Sequence, residues 1–218
     1  MIIAEQKPIA EIEAMVAPYR KILLVGCGTC MSFCSAGGSQ EVDKLAETLL
    51  SENKDVVIDK TTIPRQCADK FIGRLEEKVG DCEAILSMAC GNGVQAVAGR
   101  FPERRVLPAL NTRFIGVEKE PGVWTENCMA CGDCILWRTG GICPVTRCAK
   151  SLLNGACGGA SEGMCEVSKD RPCAWQEIYH ALKRLNMLHY LKEKPQVKDW
   201  PIHPGRVVRE DMREIQAA

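Results

Sequence analysis

Cys128-Met-Ala-Cys131-Gly-Asp-Cys134 sets three thiols at two-residue gaps, and Cys143, Cys148, Cys157, Cys165 and Cys173 follow. Residues 128–173 thus hold eight of the chain's fourteen cysteines, far more than a packed core calls for. Three Cys at i, i+3 and i+6 can wrap one small inorganic centre, because each turn of the loop aims another sulfur inward. A ferredoxin-type run has this spacing and then a Cys-Pro, here Cys143-Pro144, with its fourth thiol often serving a neighbouring cluster. Structural zinc more usually takes two separated pairs of the C-x₂-C kind. The run therefore favours iron–sulfur over zinc, and either of them over disulfides or inert thiols. Eight thiols fit two four-thiol sites or one site with spares. In a ferredoxin-like crossing, Cys128, Cys131 and Cys134 take Cys173, which leaves Cys143, Cys148, Cys157 and Cys165 for the second.

A second group precedes it. Lys21-Ile-Leu-Leu-Val25 reads as a buried strand running into Gly26-Cys27-Gly28-Thr29-Cys30-Met-Ser-Phe-Cys34. The strand Asp55–Asp59 leads to Pro64-Arg65-Gln66-Cys67, and the strand Ala84–Met88 to Cys90-Gly-Asn-Gly93. Between the strands lie helical patterns: Val42, Leu45, Ala46, Leu49 and Leu50 on one face, then Phe71, Ile72, Leu75 and Val79, then Val94 to Phe101. Residues 8–20 form a leading amphipathic helix, and short β segments near Val106 and at Phe114–Val117 complete the pattern. Strands alternating with helices imply βαβ units and a parallel sheet, doubly wound, of Rossmann or flavodoxin-like type. In such sheets the ligand crevice lies at the carboxyl ends of the strands. Cys27, Cys30, Cys34, Cys67 and Cys90 all follow strand ends, so they are expected at one edge, where helix amino termini favour thiolates. Five candidates for four positions leave one spare, and spacing does not say which. Cys82, before the third strand, falls at the opposite end as a small core residue.

Other readings are weaker. Gly26-Cys-Gly28 with Asp59 imitates a dinucleotide fingerprint, but the third Gly is missing and thiols occupy the turn. Gly91-Asn-Gly93 makes a turn more readily than an anion cradle. His180, His189 and His203 show no ligand spacing, and no Ser-His-Asp or Cys-His nucleophile arrangement stands out. The indoles of Trp124, Trp137 and Trp175 flank the cysteines and are expected to shield them from water.

The expected organisation is an α/β domain over 1–121, a loop-rich Cys module over 122–175, and a carboxy-terminal helix with an extended arm over 176–218. That helix runs from Ala174 to about Lys192 with its apolar stripe on the first domain, and the arm spans Pro195 to Ala218. The 218 residues, 46% of them hydrophobic, support a sizeable core. Lys plus Arg number 28 and Asp plus Glu 28, and aromatics are 5%. That balance argues against nucleic acid or an anionic membrane surface as partner. No signal-like leader and no apolar run long enough to insert in a membrane occurs, so a cytoplasmic protein is expected. In a reducing compartment, so many thiols read as ligands rather than as a disulfide framework.

Several separate stretches carry a family resemblance. They are Gly26–Cys34 with Ala36-Gly-Gly38, Arg65-Gln-Cys67, Leu86–Gly91, Pro108–Thr112, Gly140-Gly-Ile-Cys-Pro144, Leu152–Gly159 and Cys173-Ala-Trp175. Together they resemble the methylenetetrahydrofolate reductase C-terminal-domain family over roughly residues 20–210, including the small Cys-rich subunit of the reductase in acetogenic bacteria. The resemblance implies two or three [4Fe–4S] clusters on the thirteen edge and module thiols, with zinc open at one carboxy-terminal site. It also implies a partner: a flavin-binding TIM-barrel subunit that carries the FMN and reduces methylenetetrahydrofolate. An upstream electron-donating subunit or ferredoxin would feed the chain. A scaffold whose metals are structural zinc is the alternative.

Overall fold

The computed structural model describes residues 1–52, 55–194, 197–200 and 205–213. The chain divides into two compact units, residues 1–126 and 127–218.

The first unit opens with strand β1 (Ile2–Gln6) and helix α1 (Ile9–Val16), then β2 (Lys21–Cys27), the short helix α2 (Cys30–Phe33), α3 (Ser39–Glu52) and β3 (Val57–Ile63). Next come α4 (Asp69–Ile72), a 3₁₀ turn, α5 (Glu76–Val79), β4 (Ala84–Met88), α6 (Gly91–Arg100) and β5 (Arg105–Pro108). A parallel four-stranded sheet runs in the order β3-β2-β4-β5. Strands buried on both faces read as unbroken apolar runs, and Ile22 to Val25 and Ala84 to Leu86 are fully buried for that reason. On one face Ile22, Leu24, Ala84, Leu86 and Met88 pack with Ile12 and Val16 of α1 and with Val42, Leu45, Ala46 and Leu49 of α3. On the other, Leu23, Val25 and Ile85 pack with Ile72, Leu75, Val79 and Val97. Burying each Leu or Ile contributes about 1.5–3 kcal/mol, so this two-sided core is the main source of the unit's stability.

Two departures from the sequence reading concern a strand and a helix face. The segment Phe114–Val117 does not extend the parallel sheet: it lies inside β6 (Leu110–Glu120), which joins β1 and β7 (Val123–Cys128) in a separate three-stranded sheet ordered β1-β6-β7. β1 pairs antiparallel with β6, Ile2 opposite Ile115. Pro121-Gly122, with Gly122 at φ +79°, is the two-residue connection that turns β6 into β7. Leu50, assigned to the buried face of α3, is 41% exposed, because the face ends at Leu49.

The second unit is built mostly of turns. Its regular pieces are a 3₁₀ turn at Leu136–Arg138, α7 (Pro144–Arg147), α8 (Ala174–Arg184), a second 3₁₀ turn at Leu188–Leu191 and α9 (Glu210–Arg213). The helix expected to reach Lys192 stops at Arg184, where Asn186 takes φ +57° and turns the chain. Trp175, Ile178 and Leu182 of α8 are buried among Ile142, Leu152, Met187 and Leu188, so its apolar face is filled from within its own unit. Tyr179 of α8 and Leu185 just after it are exposed. Of the proposed arm, residues 195–196, 201–204 with His203, and 214–218 lie outside the described residues. Among the described residues, no helix is long and apolar enough to cross a membrane.

Candidate metal centres

All fourteen cysteines are free thiols. In the first unit, Cys27 ends β2, Cys30 opens α2 and Cys34 follows it. Cys67 lies four residues beyond β3, and Cys90 is the residue from which α6 starts. Because β2, β3 and β4 are parallel, this places all five at the carboxyl edge of the sheet. Strand order reverses between β2 and β4, the point where such sheets open a crevice.

The loops are tied to each other there. Gly28 N–H donates to the Ile63 carbonyl at 2.9 Å and the Thr29 hydroxyl to the Pro64 carbonyl at 2.7 Å, which joins the Cys27 turn to the end of β3. Cys27 N–H donates to the Gly37 carbonyl at 2.8 Å. Gly37 runs so close to β4 that a Cβ would stand 2.2 Å from the Met88 carbonyl oxygen, so only glycine lets this turn close. Gly91 N–H donates to the Thr112 hydroxyl at 2.9 Å and fixes the start of α6.

Cys27, Cys34 and Cys90 are buried, Cys30 is half-buried and Cys67 is exposed. Burial pushes the Cys27 thiol up, opposed by the backbone N–H groups of Gln66 and Thr29, and the Cys67 and Cys90 thiols are near enough to add to the rise. Burial likewise raises Cys34, against N–H groups that include those of Ala4 and Ala36. The Cys34 thiol donates to the Cys30 carbonyl at 3.0 Å. Trp124 packs on the same core with its indole N–H buried and lacking a hydrogen-bond partner among the described residues. Cys82 sits at the opposite end of the sheet, buried with Val79 and Ile85, and burial raises its thiol as well.

Two residues of this edge escaped the sequence reading. Gln66, taken there as part of a loop, has no exposed surface; its side-chain amide donates to the Val25 carbonyl at 2.8 Å and accepts from the Ser87 hydroxyl at 2.6 Å. A lone Ser within Ala-Ile-Leu-Ser-Met was the available signal, since a buried hydroxyl requires a partner.

The second unit spaces its eight thiols along turns. Ala130 N–H donates to the Cys128 sulfur at 3.3 Å and Gly159 N–H to the Cys157 sulfur at 3.5 Å, each from two residues onward. The first of these needs Ala130 at φ +56°, with Gly132 following at φ +83°. Cys143 and Cys148 bracket α7, and Cys173 is the residue from which α8 starts. Cys173 N–H donates to the Gly163 carbonyl and Cys165 N–H to the Arg171 carbonyl, both at 2.8 Å, which brings Cys165 and Cys173 into one folded loop. Cys157 donates to Glu166 at 3.3 Å, and Lys150 pairs with that carboxylate. The Lys150 ammonium is raised by Glu166 first and then by the nearby thiols of Cys157 and Cys165, and the Glu166 carboxyl is lowered by Lys150.

Trp175 donates its indole N–H to the Leu152 carbonyl at 2.9 Å and is buried. Trp137, expected as a shield, is 58% exposed and stands edge-on to Tyr190 at 5.4 Å. Both border a cavity of about 480 Å³ in this unit, whose charged residues are already paired, Arg138 with Glu193 and Lys198 with Asp133. His180 and His189 contact Tyr179 and Tyr190, respectively.

Among the described residues, no three or more Cys, His, Asp or Glu side chains stand as a closed metal-holding group. Cys67 and Cys90 lie near Cys27, and Cys30 near Cys34, without forming a tetrad. In chemistry, the donor set suits a thiophilic metal: soft sulfur ligands, backbone N–H groups on the Cys128 and Cys157 sulfurs and near the Cys27 and Cys34 thiols, and an indole donor on the core without a partner among the described residues.

Residues 107–201 match the family described as methylene-tetrahydrofolate reductase C terminal. No curated protein and no solved structure matches the chain.

Proposed function

We propose, from the premise that residues 107–201 belong to the methylene-tetrahydrofolate reductase C-terminal family, that this chain is the iron–sulfur electron-transfer subunit of such a reductase. Its partner in this reading is a flavin-binding catalytic subunit, and an upstream subunit or ferredoxin supplies the electrons. The observation that carries the proposal is that the matched segment contains all eight thiols from Cys128 to Cys173.

Two regions would hold the clusters: the sheet edge with Cys27, Cys30, Cys34, Cys67 and Cys90, and the turns that carry Cys128, Cys131, Cys134, Cys143, Cys148, Cys157, Cys165 and Cys173. When bound there, iron–sulfur clusters supply one-electron exchange at potentials that range from about −700 to +450 mV with their surroundings. The chain's own residues set those surroundings. N–H groups of Ala130 and Gly159 donate to sulfur, those of Gln66 and Thr29 lie near the Cys27 thiol, and all favour added negative charge. The apolar core beneath Cys27, Cys34 and Cys90 keeps water from them. Lys150 lies near Cys157 and Cys165, paired with the Glu166 carboxylate that accepts from Cys157.

A zinc-holding scaffold is the second reading. It is favoured by the small core of the second unit, Trp175, Ile178 and Leu182, which is of the size that structural metals commonly staple. One experiment separates the two. Anaerobically purified chain, assayed for iron, zinc and acid-labile sulfide and examined by electron paramagnetic resonance after reduction, is expected to be brown, to contain iron and sulfide, and to bleach on reduction. Zinc alone, colourless and redox-silent, would overturn the electron-transfer role.

A further inference from the structure

Gln66 and Ser87 are the only buried polar side chains among the described residues of the first unit, and they are hydrogen-bonded to each other. Their placement is specific. Gln66 adjoins Cys67; Val25, whose carbonyl takes the Gln66 amide, lies two residues before Cys27; Ser87 lies three residues before Cys90. Val25 and Ser87 are register partners across β2 and β4, at the point where strand order reverses. One side-chain amide thus bridges the three chain segments that bear Cys27, Cys67 and Cys90.

The room for it is also built in. A Cβ on Gly93, in the first turn of α6, would stand 2.9 Å from Gln66 Cβ and 2.7 Å from Ala89 Cβ, so glycine there lets the helix settle onto the glutamine. With the side chain pinned, the Gln66 peptide N–H is held near the Cys27 thiol, whose rise it opposes. An apolar residue of similar size would fill this space equally well. What the amide adds is direction: a donor toward β2 and an acceptor toward β4, satisfied only at one separation of the loops.

We propose that Gln66 is a positioning residue for a thiolate-held centre at the sheet edge, its side chain setting the relative placement of the Cys27, Cys67 and Cys90 segments. This rests on the reading of the first-unit thiols as iron–sulfur ligands. Gln66 touches no substrate and acts through the thiols. Partners of metal ligands have measurable weight: their loss commonly weakens metal retention about 10–100-fold. Weakening the N–H contact to a thiolate also removes stabilisation of the more negative, reduced state, so the midpoint potential moves down.

The test uses the full chain, purified anaerobically, in wild-type form and as Cys90→Ser, Gln66→Met, Ser87→Ala and Ser87→Thr. The paramagnetic signal that disappears in Cys90→Ser defines the first-unit centre. Gln66→Met is expected to change that signal's g-values, lower its midpoint potential, and release its iron to a chelator roughly 10-fold faster. Ser87→Ala should do the same to a smaller degree, while Ser87→Thr, which keeps the hydroxyl, should restore the wild-type signal and potential. If wild-type chain shows no signal that depends on Cys90, the ligand reading fails and the proposal with it. If that signal is present but Gln66→Met and Ser87→Ala lower only the melting temperature, the glutamine merely stabilises the fold and the proposal alone is overturned. Should Gln66→Met fail to fold, the Ser87→Ala and Ser87→Thr pair decides by the same criterion.

Discussion

The five edge thiols of the first unit follow strands and helices that are fixed by their own burial, whereas the eight of the second unit lie in turns and at the ends of short elements around a small core centred on Trp175, Ile178 and Leu182. In the first unit Cys27 and Cys90 border strands whose core residues Leu24 and Leu86 are fully buried. In the second, Cys157 is exposed and Cys165 is held by a loop whose bridges join only Ser161, Met164 and Pro172. The difference teaches which partner imposes the geometry. At the sheet edge the protein presets where sulfur stands. In the turns, under the proposed function, the bound centres would supply much of the order, because the apolar area is small.

The largest expected effect tests that contrast directly. Without iron, sulfide or zinc, amide exchange should leave β2 and β4 protected while protection across residues 143–173 falls by roughly 100-fold or more. Equal loss in both units would erase the distinction. Next, Leu24→Ala should remove about 2–5 kcal/mol from the first unit, read by chemical denaturation, with the exchange pattern of the second unit unchanged. On the proposed electron-transfer function, Cys131→Ser should bleach part of the visible absorption and slow reduction of the proposed partner's flavin by the upstream donor about 10-fold or more. Artificial donors acting directly on the partner's flavin should still work, and their equal failure would refute the relay. Gly37→Ala should cost about 1–3 kcal/mol, since the added methyl meets the Met88 carbonyl rather than a side chain that can move. The smallest effect is expected for Cys82→Ala, at most about 1 kcal/mol, with metal content unaltered.

The parallel sheet was legible because its central strands declare themselves locally. Ile-Leu-Leu-Val before Gly-Cys, and Ala-Ile-Leu before Ser-Met-Ala-Cys, are apolar runs closed by thiol-bearing turns. The antiparallel sheet was not, because β1 and β7 are short and in part polar, and each is a strand only by virtue of β6. Nor does any Gly or Pro mark the end of α8, since Asn186 makes the turn in the left-handed region that asparagine tolerates. The thiols could be found from spacing alone. The amide that ties three of their segments could not, because Gln66 lies in a loop without periodicity and its partners are 41 and 21 residues away.

The pairing of Ile2–Gln6 with Leu110–Glu120 has a consequence for biosynthesis. β1 has no strand neighbour until about a hundred further residues have been translated, by which time the parallel sheet can already have formed. Closing so long a loop is slow relative to local contacts. Ala4, whose N–H opposes the rise of the Cys34 thiol, belongs to that strand. The pocket around Cys34 is therefore finished last, and a nascent chain interrupted before Glu120 would present this thiol with one wall missing.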